Sequence, residues 1–253
     1  MYTHMGSFTR HAESGDARSA NYPFQIHVYP NDNYADQIID YALEAAVDFC
    51  DQMKSYGAID YYQVFEYIPP NHPFCSTNSN DSDTPDSTVF IDDFDTWYRD
   101  EGYDSRVGVH MCVDTSLTGG QAYGGDTVEK SAFNIARPAV AGFPNNAESS
   151  DRGSEGKVTV IHESLHPTII NSLVVGSEGA DNPLAPENEH ELGTLITPDG
   201  TLTRTPFCNN TGGANPPWDY GTCRTDADDP SGESAIVSSC SKEAVKRTTR
   251  EVF

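Results

Sequence analysis

Five consecutive residues, His162-Glu163-Ser164-Leu165-His166, restrict this chain more than any other stretch. On a helix, side chains four apart share a face, so both imidazoles can reach one metal ion. Glu163 lies one residue round from that face, where a carboxylate can touch a water beside the metal without ligating the ion. Two His ligands, zinc and a Glu base are the working parts of a metal-dependent peptidase. Chance is a poor explanation. With 8 His in 253 residues, random placement gives about 0.015 such runs per chain.

The surroundings predict a helix. From Lys157 to Val174 the apolar residues Val158, Ile161, Leu165, Ile169 and Leu173 recur at intervals of three and four. Ser154 is the expected N-cap, with Gly156 and Lys157 leading into the first turn. The run Lys157–Ile161 also suits a strand by propensity, so the longer pattern decides. Pro167 lacks an N–H and its ring crowds the carbonyl of Glu163, so the helix should kink or end there. A break just after His166 leaves both imidazoles in place.

Size and charge set the outer limits. A chain of 253 residues can form one large domain or two closely joined lobes. No run of eighteen apolar residues exists, so no membrane span is expected. No signal peptide is legible in Met1–Phe8, and residues 1–20 read as a disordered lead-in. The net charge is −24, with 24 Asp and 15 Glu against 5 Lys and 10 Arg. Such Asp-rich, Lys-poor acidity resembles proteins of extreme halophiles, whose carboxylate surfaces stay hydrated where molar salt screens repulsion within about 3 Å. Because the acids are spread along the whole chain, Asp16 to Glu251 included, solvation explains them better than an acid-lined cleft. Nucleic acid is not an expected partner, since the only basic cluster is Lys242, Lys246, Arg247 and Arg250.

Cys50, Cys75, Cys112, Cys208, Cys223 and Cys240 are even in number and form no C-x-x-C pair. That argues for three disulfides in an exported protein rather than a zinc finger. Cys208 with Cys223, flanking a loop of Gly, Pro and Asn, is the first choice among fifteen connectivities. Asn80 and Asn209 fit the glycosylation pattern. Asp81, Asp83 and Asp86 are oxygen donors of the kind that hold Ca²⁺, yet without EF-hand spacing, and a solvated acidic loop accounts for them better.

Along the chain, Phe24–Tyr29 reads as a strand and Tyr34–Ser55 as an amphipathic helix stopped by Gly57. Its stripe is Ile39, Leu43, Ala46, Cys50 and Met53. Tyr61–Ile68 is a second strand, Val89–Tyr98 a short helix, and Val107–Asp114 a third strand. In that strand His110 and Cys112 share one side, with Val109, Met111 and Val113 on the other; a satisfied strand histidine explains His110 better than a ligand does. Gly119-Gly120 and Gly124-Gly125 read as a flexible loop. Phe133–Phe143 is a fourth extended segment, which Pro138 confines to an edge or bulge.

The order strand–helix–strand–strand–strand–helix, with the motif on the last helix, resembles the N-terminal subdomain of zincin metallopeptidases. The resemblance spans residues 24–195 and, outside the motif, is one of topology. It implies an α+β fold in which a twisted mixed sheet lies over the active-site helix. Residues 21–176 would form that subdomain. Residues 177–253 would form a loop-rich, disulfide-bonded C-terminal subdomain. An edge strand pairs with extended substrate in those families, a place that Phe133–Ala141 would take here.

A catalytic zinc needs three protein ligands. Metzincins continue the motif to a third His, but Ile169 and Ser172 stand here where their Gly and His belong. Trp218-Asp-Tyr-Gly221 is only a fragment of the aspzincin segment. The cluster Glu187-Asn-Glu189-His190-Glu191 holds the one histidine after the motif. His190 is therefore the candidate third ligand, with Glu191 and Glu187 as alternatives in the gluzincin manner. The hairpin Gly193–Arg204 and the Cys208–Cys223 loop should line one wall of the pocket. Tyr220 is the candidate phenol for a developing oxyanion, and a packed aromatic beside Trp218 is its plainer role. Ser234–Val252 is expected as a closing helix. The resemblance implies a secreted, salt-adapted zinc peptidase acting on protein or peptide substrates. A non-catalytic zincin scaffold binding at the cell surface is the alternative.

Overall fold

The computed structural model describes residues 7–30, 36–68, 87–114, 117, 119–125, 127–143, 150–174, 192–193, 195–196, 203–208 and 232–253. Its centre is a mixed six-stranded sheet in an α+β arrangement. The strands are β1 (Ser7–Ser14), β2 (Pro23–Pro30), β3 (Tyr61–Ile68), β4 (Gly108–Asp114), β5 (Gly120–Ala122) and β6 (Ala136–Gly142), in the order β1-β3-β2-β4-β6-β5. The inner four run parallel, and the two outer strands, β1 and β5, are antiparallel to their neighbours. Parallel strands need crossovers, and helices α1 (Asp36–Tyr56) and α2 (Ser87–Asp100) supply two of them.

Alternation along the inner strands divides the core into two. Ile26 and Val28 of β2, with Val109, Met111 and Val113 of β4, face one side. There they meet α1, α3 (Ser150–Leu165) and α4 (Ser239–Val252). The α1 stripe expected from spacing is buried throughout, and Gly57 ends the helix at φ 75°. The opposite face carries an aromatic core in which Tyr29, Tyr67 and Cys112 pack on Phe90, Phe94 and Tyr98 of α2. Among the described residues no helix is long and apolar enough to cross a membrane.

Several expectations change. Residues 7–14, expected within a disordered lead-in, form β1, because Phe8 buries its ring against Tyr29, Tyr67 and Tyr103. Pro138 does not place its strand at an edge. Its carbonyl accepts from Tyr123 N on the β5 side, and a strand residue's N and O point the same way, so its missing N–H falls where β5 ends. The edge is β5, formed from glycines read as loop. The motif helix begins at Ser150, so Ser154 is interior rather than a cap. Three disulfides do not form: Cys50 and Cys112 are buried thiols on opposite faces of the sheet. Cys240 is disulfide-bonded to a partner outside the described side chains. Cys75, Cys223, Asn80, Asn209 and the Asp81–Asp86 loop also lie outside the described residues. The closing helix is α4, capped by the Ser238 hydroxyl, which accepts from Ser241 N.

His110 is a satisfied strand histidine. Its Nε2 donates to the Arg106 carbonyl at 2.8 Å and its Nδ1 accepts from the Tyr29 hydroxyl at 2.6 Å. Directly across the ladder His27 stacks on it at 4.6 Å and on Phe65 at 5.0 Å. Burial lowers the His110 pKa to about 4, helped by Arg106 and Arg99. It lowers that of His27 as well, with His110 and Arg106 adding to the effect. A depressed imidazole pKa means that the unfolded chain binds more protons than the fold. The stability these two groups contribute is therefore complete above the ordinary imidazole value of about 6.5 and is lost as pH falls below it. Urea midpoints should drop between pH 7 and pH 5, and His27→Phe, which keeps the stack without the base, should flatten that slope.

Candidate metal centre

The motif helix is seated by a close contact that only glycine permits. A Cβ at Gly156 would lie 2.3 Å from the Phe143 ring, so α3 packs directly on the end of β6. Val158, Ile161, Leu165 and Ile169 of the expected stripe are fully buried. The other side of α3 carries His162, and the turn that follows it carries His166, both half-buried. As expected, Pro167 ends the helix: Leu165 is its last residue and His166–Thr168 form a single 3-10 turn.

A helix end leaves carbonyls to satisfy, and those of Ser164, Leu165, His166 and Pro167 have partners here. The Thr168 hydroxyl is within reach of both the Ser164 and Leu165 carbonyls, at 3.0 and 2.8 Å. Gly125 N donates to the His166 carbonyl and Ala132 N to that of Pro167. His166 is thereby fixed on both sides of its backbone. Gly124-Gly125, expected as flexible, is part of this anchor, with Gly125 bridged to Ile170.

The two imidazoles converge. Their Nε2 atoms are 3.1 Å apart. Two ligands of one tetrahedral zinc at 2.0–2.1 Å are separated by about 3.3 Å, so the spacing suits a shared ion. His162 Nδ1 lies 2.6 Å from the Pro206 carbonyl, to which it donates, leaving its Nε2 lone pair turned toward His166. The Phe207 ring packs against both, at 5.2 Å from His162 and 5.0 Å from His166. His162, Glu163 and His166 offer ligand atoms that all lie within 4.8 Å of one another. They are the only such group of three among the described residues.

Glu163 is buried, with Oε1 4.0 Å from His162 Nε2 and Oε2 lacking any hydrogen-bond partner. Burial raises its pKa to about 7, against the pull of His166 in the other direction. An orphaned carboxylate oxygen is costly, and here it sits beside two imidazoles that fit a cation. The chemistry of these donors suits zinc. A carboxyl group near neutrality is also suited to take up and release protons at ordinary pH.

The β5 edge strand completes the near wall. A Cβ on Gly120 would come 2.6 Å from the Val140 carbonyl, 2.7 Å from Glu163 Cγ and 2.8 Å from Thr159 Cγ2. The backbone of β5 thus lies directly on the glutamate. From the other direction come β7 (Leu195–Ile196) and β8 (Thr203–Arg204), the expected hairpin, with β9 (Gly232–Glu233) parallel to β8. It leads into the 3-10 turn Pro206–Cys208 that touches the imidazoles. His190, Glu187, Glu191 and Tyr220 lie outside the described residues. Ile169 is buried in the core and Ser172 is exposed.

Sequence reasoning overlooked Pro206, Phe207 and Gly120. The hairpin placed as a pocket wall pointed toward the first two; the paired glycines before a strand were the signal for the third. No protein-family model matches this chain, and no curated protein matches it. Gly120→Ala should cost about 1–3 kcal/mol in urea unfolding, because backbone on one side and α3 on the other leave the methyl no space. A loss below a few tenths would refute the close approach.

Proposed function

We propose that this chain is a zinc-dependent peptide hydrolase on a zincin-like scaffold, with His162 and His166 as ligands and Glu163 as general base. The observation that carries it is the meeting of two Nε2 atoms beside a buried carboxylate with an unpartnered oxygen. Zinc, when bound, polarises a carbonyl and acidifies water. Glu163, held near neutral pKa by burial, accepts the proton of the attacking water and passes it to the leaving amine. Its position under Gly120 sets that carboxylate beside β5, the outermost strand on that side among the described residues. An extended peptide added to that edge would bring its backbone past Glu163.

The third ligand is proposed to be His190, or else Glu191 or Glu187, with Tyr220 as an oxyanion partner. Adaptation to high salt is proposed from the charge of −24, and secretion from the disulfide at Cys240. A non-catalytic binding module on the same scaffold is the second reading, favoured by the exposure of Ser172 where a metzincin has its third histidine.

The parent chain should hold one zinc and cleave a denatured protein in molar salt, with cleavage abolished by chelator. Glu163→Gln should lower turnover about 10²–10⁴-fold while zinc content stays unchanged. His166→Ala should lose metal and activity together. Metal without cleavage in the parent chain would support the binding module, and equal cleavage by Glu163→Gln would remove the glutamate from its role.

A further inference from the structure

Building on the reading of the histidine pair as a metal site, we propose that the turn Pro206–Cys208 is its positioning element. The Pro206 carbonyl holds His162 in the tautomer that aims an Nε2 lone pair at His166, and Phe207 covers one side of both imidazoles.

A carbonyl oxygen only accepts, so the 2.6 Å contact with Pro206 requires the proton on His162 Nδ1. A neutral imidazole has one N–H, so His162 Nε2 then carries a lone pair. That lone pair faces His166 Nε2 at 3.1 Å. A ligand that must otherwise choose between tautomers and ring orientations is thereby set before any metal arrives.

The turn is suited to this work. Pro206 opens it with a restricted φ, so little freedom is left for the carbonyl to lose. Pro206 is 44 residues beyond His162 in the chain and reaches it because β7 and β8 pair just upstream. Phe207 is 2% exposed and meets His162 edge-on, at 78° between ring planes. It is tilted at 50° on His166. An apolar ring there keeps water from competing for the Nδ1–H. The site therefore depends on a segment from outside the motif helix.

Long-range proton–nitrogen NMR on the metal-free full-length chain reads the tautomer directly. His162 should show a protonated Nδ1 and an unprotonated Nε2. Protonation at Nε2 in the parent chain overturns the proposal. Pro206→Gly, which keeps the carbonyl but frees the turn, and Phe207→Ala should each mix the tautomers. Both should weaken zinc binding, measured by chelator competition, about 10–100-fold. Phe207→Leu should restore most of the affinity. Unchanged tautomer in both Pro206→Gly and Phe207→Ala would also overturn it. A parent chain that binds no zinc would sink the metal reading instead, while the NMR measurement still decides whether the turn orients His162.

Discussion

The arrest of the motif helix at Pro167 is the constraint on which the candidate site depends. Proline removes the hydrogen bond to the Glu163 carbonyl and stops the helix, so the carbonyls that follow need partners from outside it. Those of Ser164, Leu165, His166 and Pro167 meet the Thr168 hydroxyl and the amides of Gly125 and Ala132. A break that would ordinarily loosen a helix end instead ties the second histidine to the loop before β6. The side chain of His166 inherits that rigidity. Two imidazoles can converge to 3.1 Å only if neither backbone is free to drift.

Close approach by glycine is the second device, used twice around the same helix. Gly156 lets α3 settle on Phe143, and Gly120 lets β5 settle on Glu163. Together they press the glutamate between an edge strand and its own helix, away from water. Burial then does the electrostatic work of holding the carboxyl near neutrality. The Pro206 carbonyl and Phe207 pack on the imidazoles, so His162 takes its orientation in part from backbone distant in sequence.

The far face of the sheet carries none of this chemistry. There two histidines occur side by side in register, yet His110 is engaged at both nitrogens and His27 stands in a stack of rings. What distinguishes the two pairs is geometry. On adjacent strands, imidazoles stack face to face; one helical turn apart, they bring nitrogen to nitrogen.

Much of this was legible along the chain. The α1 stripe, the alternation that split His110 from Val109 and Met111, the helical spacing around His162 and the stop at Pro167 all depend on local periodicity and on one residue's missing N–H. β1 was not legible, because its stability comes from Phe8 entering a cage built by three distant segments. The β5 edge was hidden for a related reason: glycines read as loop when their value lies in what they allow to approach. The three-disulfide scheme failed because cysteine number says nothing about which side of a sheet each thiol faces. By itself the amino-acid order determined that two imidazoles and a carboxylate share one helical turn, since that follows from 3.6 residues per turn. Only the tertiary structure decided which tautomer His162 holds and how dry Glu163 becomes, because Pro206, Phe207 and Gly120 reach them through contacts distant in sequence.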